Sequence, residues 1–334
     1  MLFNAYQLII IVVFFILFAL VKKENIQSVT FFNKDYTTIM RGIAILFVVL
    51  HHVGNSSGSV IFTPLGGIGV AMFLIISGYG LHESLKKKGL NNYWKNKVVR
   101  VIIPMLIVEF VSIINECDRS GIQDTIKHLF CIDRNWYVRY LFYWYFLFYL
   151  AVRLLKKRYE YVLLCIGFVM LVSLPEIEAE QSLSFVAGIF LSLYKDKINL
   201  TRRQILAISI ILLFVGSSCL FAKQLPIIRT YSGTMVYSSI QMCLKFSIAC
   251  SVLLFSSLLF SSLLFSSPIL QRGVAFLYVT GIMSYEIYLV HCKLLGIVYA
   301  NNTILHLILF YILTYLISYM LYLVDQRITI RCSK

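Results

Sequence analysis

The sequence predicts an all-α fold: a polytopic membrane helical bundle of about 11 transmembrane helices. Three observations carry this. Of the 334 residues, 60% are hydrophobic and 13% charged, with a mean hydropathy of +0.83, whereas soluble domains carry about 25% charged residues. Apolar runs recur at close to the ~20 residues that a membrane helix needs. Lysine and arginine collect in alternate connections, the mark of the positive-inside rule. Alternating polar and apolar strands are absent, which excludes an outer-membrane barrel. Disorder, coiled coil, collagen and a disulfide-stapled secreted domain are excluded by the same composition. The net charge of +15 is no sign of nucleic-acid binding, because the cations lie between apolar runs. The eight cysteines have no Cys-x-x-Cys spacing, so they predict no metal and read as small hydrophobes.

In chain order the expected spans are 4–21, 38–56, 66–83, 99–115, 136–155, 159–174, 182–194, 204–221, 235–265, 274–296 and 303–324. The first is long for a signal-peptide core and is followed by no small-residue cleavage site, so it reads as a retained helix. The seventh is short, and the ninth is long enough to be kinked. Cations follow the odd-numbered spans: Lys22, Lys23 and Lys34; the group from Lys86 to Arg100; Arg153 to Arg158; Lys195 to Arg203; Arg272; and Arg327, Arg331 and Lys334. The other side holds only Arg119, Lys127, Arg134, Lys223 and Arg229, beside the acidic Glu176, Glu178 and Glu180. The N-terminus is therefore expected outside and the C-terminus in the cytoplasm. The longest non-apolar stretch, 116–135, is too short for a second domain. The run Phe255-Ser256-Ser257-Leu258-Leu259 repeats with period five. Five is not a helical period, so its serines are expected to bond back to the helix backbone.

An ionisable residue inside lipid is expensive and marks a candidate site. The candidates are Arg41, His51, His52, Glu109, Lys245, Glu286, His291 and Lys293, with Arg139 near an interface. Arg41 and His52 are eleven residues apart, about three turns plus 20°, so they share one helix face about 16 Å apart. His51 points about 80° away. This suits a molecule entering with an anionic part near Arg41 and a reactive part near His52. It equally fits a snorkelling arginine and a packing histidine. Lys97 and Arg100 are three apart on one helix start and could hold phosphate, or could be ordinary lysine and arginine at a membrane edge. Glu286 and Lys293, two turns apart, allow a buried pair or a proton relay. Glu109 fits as the partner of some cation.

At these residues the chain resembles the acyltransferase-3 family of integral membrane O-acyltransferases. Arg41, ten residues and then His52 match the family's arginine–histidine marker. Gly67-Ile68-Gly69-Val70 followed by Phe73 and Ile76-Ser77-Gly78 matches the next element. Lys97 and Arg100 before Ile103-Pro104 match the basic helix start, with lysine where many members carry arginine. Asn135-Trp136-Tyr137 opens the fifth span, and Ser284-Tyr285-Glu286-Ile287-Tyr288-Leu289-Val290-His291 matches the closing signature.

The resemblance covers about residues 36–325. It implies a ten-helix core at 36–325, preceded by an extra helix and cytoplasmic linker at 1–35 and followed by a short tail at 326–334. It implies transfer of an acyl group, usually acetyl from acetyl-CoA, to a sugar hydroxyl in a bacterial cytoplasmic membrane. On this reading His52 is the base, and Arg41 with Lys97 and Arg100 holds the donor. Glu286, His291 and Glu109 are supporting polar residues. No permanently bound cofactor and no metal is implied. The partners are acyl-CoA, a glycan or lipid-linked sugar, membrane lipid and other polysaccharide-assembly proteins. No serine or cysteine stands in a nucleophile motif, which favours direct transfer. A transporter or flippase of lipid-linked glycans is the main rival, and should show internal repeats and matched broken helices, which the sequence lacks.

Overall fold

A computed structural model describes residues 2–21, 31–116, 136–197, 199–262, 268–301 and 303–333. Arg119, Lys127, Arg134 and Asn135 lie outside the described residues, as do Lys22, Lys23 and Lys334. The described residues contain helices and turns and no strand. The elements are α1 (Leu2–Val21), α2 (Lys34–Ser56), α3 (Thr63–Lys88), α4 (Tyr93–Lys97), a π-helical turn (Val98–Ile102), α5 (Ile103–Glu116), α6 (Trp136–Leu155), α7 (Tyr159–Ser173), α8 (Glu176–Ala179), α9 (Ser184–Tyr194), α10 (Arg202–Ala222), α11 (Pro226–Arg229), α12 (Met235–Ser262), α13 (Pro268–Ile282), α14 (Ser284–Asn301) and α15 (Ile304–Ser333).

Among the described residues, six helices are long and apolar enough to cross a membrane: α2, α3, α6, α10, α12 and α15. α13 and α14 make a seventh only if taken as one bent span. The expected first span, 4–21, is helix throughout as part of α1, which runs for 20 residues. The remaining expected spans are shorter or interrupted. The 99–115 segment begins inside the π turn, α7 has 15 residues and α9 has 11. At 1.5 Å per residue, such helices fall short of a ~30 Å hydrocarbon core. The 274–296 segment breaks at Met283, where α13 and α14 meet at 79°. Residues 326–333, expected as a tail, continue α15 as helix. Within the period-five run, Ser257 donates to the Leu254 carbonyl at 2.6 Å, the backbone bonding expected of these serines.

Burial sorts the helices. The apolar windows of α2 and α3 are each 72% buried, while that of α10 is 11% buried. α2 and α3 are the hub, and α10 lies at the periphery against α12. α2 starts at Asn33, whose side chain accepts from the Tyr36 amide at 2.7 Å, satisfying one of the donors that a helix start leaves open. α2 packs on α3, α13 and α14, and α3 packs on α9 and α12. Two crossings are glycine on glycine. A Cβ on Gly42 would strike the Leu277 carbonyl, and one on Gly281 would strike the Thr38 carbonyl, so α2 and α13 touch backbone to backbone. Gly78 and Gly188 do the same for α3 and α9, against the carbonyls of Phe185 and Ile75. Small residues allow such approach where lipid offers no hydrophobic drive between helices.

Replacing Gly78 by valine should therefore push α3 and α9 apart and cost about 1–3 kcal/mol. The readout is a lower thermal midpoint in detergent. Gly80→Ala is the control, because a Cβ there meets open space; equal losses for both would show that the crossing is not tight.

Candidate active site

The basic end of the site is built by α2, α4, the π turn and α6. Arg41 lies within the bundle, with Tyr145 and Tyr137 as its electrostatic neighbours. Its side chain is nevertheless exposed, so it faces a water-accessible space between helices and not packed protein. Lys97 reaches the same place. Its Nζ sits 3.7 Å from the centre of the Tyr145 ring and 5.8 Å from that of Tyr93, the geometry of a cation held over aromatic faces. Burial, with Arg100 and Arg41 nearby, pulls the Lys97 ammonium down to about 7. Three cations from two distant segments thus converge.

The π turn serves this convergence. Its wider winding displaces Val98–Ile102 from the regular ladder, a feature often found at functional sites. The Val101 carbonyl accepts from the Tyr285 hydroxyl at 2.7 Å, fastening α14 to the basic helix start. Beside the turn is a cavity of about 480 Å³, within the range of small-molecule sites. Lys88, Asn92, Lys95, Asn96 and Arg100 line it on one side, and Thr329 of α15 on the other.

The deep end is made by α2 and α14. The His52 and His291 rings lie 5.1 Å apart, and His51 packs edge-on against His52 at 4.8 Å. Nδ1 of His291 donates to the Ile287 carbonyl at 2.9 Å, which leaves its Nε2 lone pair for the site. The Cys292 thiol lies 3.2 Å from that Nε2. On its other side, away from His52, His51 meets the end of α2 and α3. It contacts Gly66, approaches the Asn55 amide at 3.4 Å and has Lys245 as a charged neighbour.

Between the two ends runs a file of tyrosines. Ser77 is within hydrogen-bonding reach of the Tyr137 and Tyr145 hydroxyls. The Tyr137 ring meets Tyr288 at 5.1 Å, and Tyr288 meets His291 at 5.8 Å. Tyr145 carries no signal as a site residue in the sequence beyond its place in an aromatic-rich helix. Sequence motifs mark the rest of the file: Tyr137 in the Trp136–Tyr137 pair, and Tyr285 and Tyr288 in the closing signature Ser284–His291.

The remaining candidates separate from this file. Glu109 pairs with Lys293 at 2.8 Å, so the partner of Lys293 is on α5 and is not Glu286. Glu286 is not brought to His52; its acidic neighbour is Asp325 of α15, itself close to Arg100. Arg139 pairs with Glu178 at 2.6 Å, and Lys245 pairs with Glu180. These carboxylates project from the short segment around α8. The connection after α2 begins only at Ser57, so Asn55 and Ser56 are the last turn of the helix. Ser59 of that connection accepts from the Asn4 amide of α1.

The model described as "Acyltransferase domain", that of acyltransferase family 3, matches residues 34–323. No curated protein and no solved structure matches the chain. The match runs from the first residue of α2 into α15 and takes in both ends of the site, so the chain belongs to the acyltransferase-3 family of membrane acyltransferases.

Proposed function

We propose that the protein is an O-acyltransferase, with acetyl-CoA as donor and a hydroxyl of a cell-envelope or exported glycan as acceptor. On this reading it lies in a bacterial cytoplasmic membrane, N-terminus outside and C-terminus inside. The observation that carries the proposal is the continuous polar file inside the bundle, from Arg41 and Lys97 through Tyr137 and Tyr288 to His291 and His52.

The chemistry divides along that file. CoA is polyanionic at one end and carries its thioester at the other. Its phosphates suit Arg41, Lys97 and Arg100, with the cavity beside Asn92 and Asn96 for the nucleotide. The pantetheine arm then extends inward past Tyr145 and Tyr137. His52, about 16 Å along α2 from Arg41, takes the proton of the acceptor hydroxyl as it attacks the thioester carbonyl. His291 stands against His52 with a fixed tautomer and steadies the imidazolium or the oxyanion. The proton finally leaves with the CoA thiolate. Glu286, near Asp325, which in turn neighbours Arg100, belongs to the donor end. The acceptor enters from the end of α2, beside Asn55 and the uncharged connection 57–62.

Three experiments test this. Mass spectrometry of envelope glycans from cells with and without the gene should show acylated sugars only when it is present; identical glycans would remove the acceptor class. His52→Ala should lower transfer by at least about 100-fold, while His51→Ala, facing Gly66 and Asn55, should cost far less. The reverse order would overturn the assignment of the base. Finally, protonated Lys97 is the form that binds an anion. Donor affinity should weaken as pH rises through about 7, seen as a KM for acyl-CoA that climbs between pH 6 and pH 8. Arg at this position stays charged throughout that range, so Lys97→Arg should flatten the KM profile. A profile unchanged by the substitution would remove Lys97 from donor binding.

A further inference from the structure

Cys292 stands in no sequence motif, and no cysteine pair in the chain has a metal-binding spacing. Its place in the structure is different. The ligand atoms of His52, His291 and Cys292 all lie within 4.8 Å of one another. The thiol is free, and its residue is exposed. We propose that these three residues form a binding site for one thiophilic divalent cation such as Zn²⁺, and that the bound ion shuts the enzyme off.

Geometry and chemistry both favour it. Two imidazoles and a thiolate are the borderline-soft donors that zinc takes, and three protein ligands with an open fourth position make a common zinc arrangement. Bonds of about 2.0–2.1 Å to nitrogen and 2.3 Å to sulfur put tetrahedral ligands roughly 3.6 Å apart. The Cys292–His291 separation of 3.2 Å is already close to that edge. His52 must approach by about an ångström, which a turn of its half-exposed side chain supplies. The second shell is in place: metal-bound histidines usually donate their other N–H to a carbonyl or carboxylate, and His291 Nδ1 donates to the Ile287 carbonyl. The Sγ–H proton now shared with His291 Nε2 is released to solvent when the thiolate binds the ion. Lys293, the nearest lysine in sequence, is held by Glu109 and does not compete as a cation.

The inhibitory part rests on the reading of His52 as the base. An ion on the imidazole lone pair leaves none to accept the hydroxyl proton. Inhibition is then reversible, and relieved by a chelator or a thiol.

The test uses the full-length protein in detergent with Co²⁺ as a spectroscopic substitute. One equivalent should give a near-ultraviolet thiolate-to-cobalt absorption band that Zn²⁺ abolishes. Cys292→Ser should lose the band, Cys165→Ser should keep it, and His291→Ala should weaken the affinity at least tenfold. Should a variant fail to fold, maleimide labelling of Cys292 in the unsubstituted chain serves instead, slowed by Zn²⁺ and read by peptide mass spectrometry. No band, or a band that survives Cys292→Ser, overturns the site. Zn²⁺ should suppress acyl transfer, with EDTA restoring it. Cobalt binding without zinc inhibition leaves the metal site standing and refutes His52 as base. Zinc inhibition without the band places the inhibition elsewhere and refutes the proposal.

Discussion

The site exists because α2 and α3 can be approached to backbone contact. Gly42 against Leu277, and Gly78 against Phe185, bring α13 and α9 onto the hub without intervening side chains. In lipid there is little hydrophobic gain from joining two apolar helices, so dispersion across closely matched surfaces must hold the bundle. Each crossing also fixes a functional register. Gly42 follows Arg41, and Gly78 follows Ser77, so the residues next to the tightest contacts are those that face the tyrosine file. Side-chain positions beside backbone contacts have little freedom to drift, which keeps the two ends of the site at a set distance.

Two groups of charged side chains stand out in the bundle. Glu109 with Lys293, Arg139 with Glu178, and Lys245 with Glu180 are each compensated by an opposite charge from another helix or from the segment around α8. Removing the cation of such a pair would leave a buried carboxylate without its counter-charge. Arg41 and Lys97 differ. Their neighbours are tyrosine rings and hydroxyls, and each other. Among the described residues no carboxylate pairs with Arg41 or Lys97, and two cations so placed suit a structure that binds a phosphate.

Much of this was legible in sequence, because a helix converts spacing into direction. The shared face of Arg41 and His52 follows from eleven residues at 100° each, and the all-helical membrane character follows from composition. What escaped depends on tertiary contact. Nothing in the chain announces that Lys293 selects Glu109 over Glu286, since both are acidic and within helical reach of some neighbour. Tyr145 reads as a member of an aromatic-rich helix until Arg41 is placed beside it. Cys292 gains its neighbours only when α14 meets α2, some 240 positions earlier in the chain. The break at Met283 is equally silent: no proline stands there, and hydropathy runs on across it. The π turn leaves no compositional trace.

The 79° turn at Met283 has a mechanical consequence. Bilayers differ in thickness, and helices answer by tilting at a cost of fractions of a kcal/mol per Å. Along a continuous helix that tilt would swing every residue on it, His291 included. Here α13, packed on α1 and α2, meets the lipid load on its own axis. α14 is anchored separately through Tyr285 to Val101 and through Lys293 to Glu109. The bend therefore gives the helix that carries the imidazole beside His52 an axis of its own, distinct from that of α13.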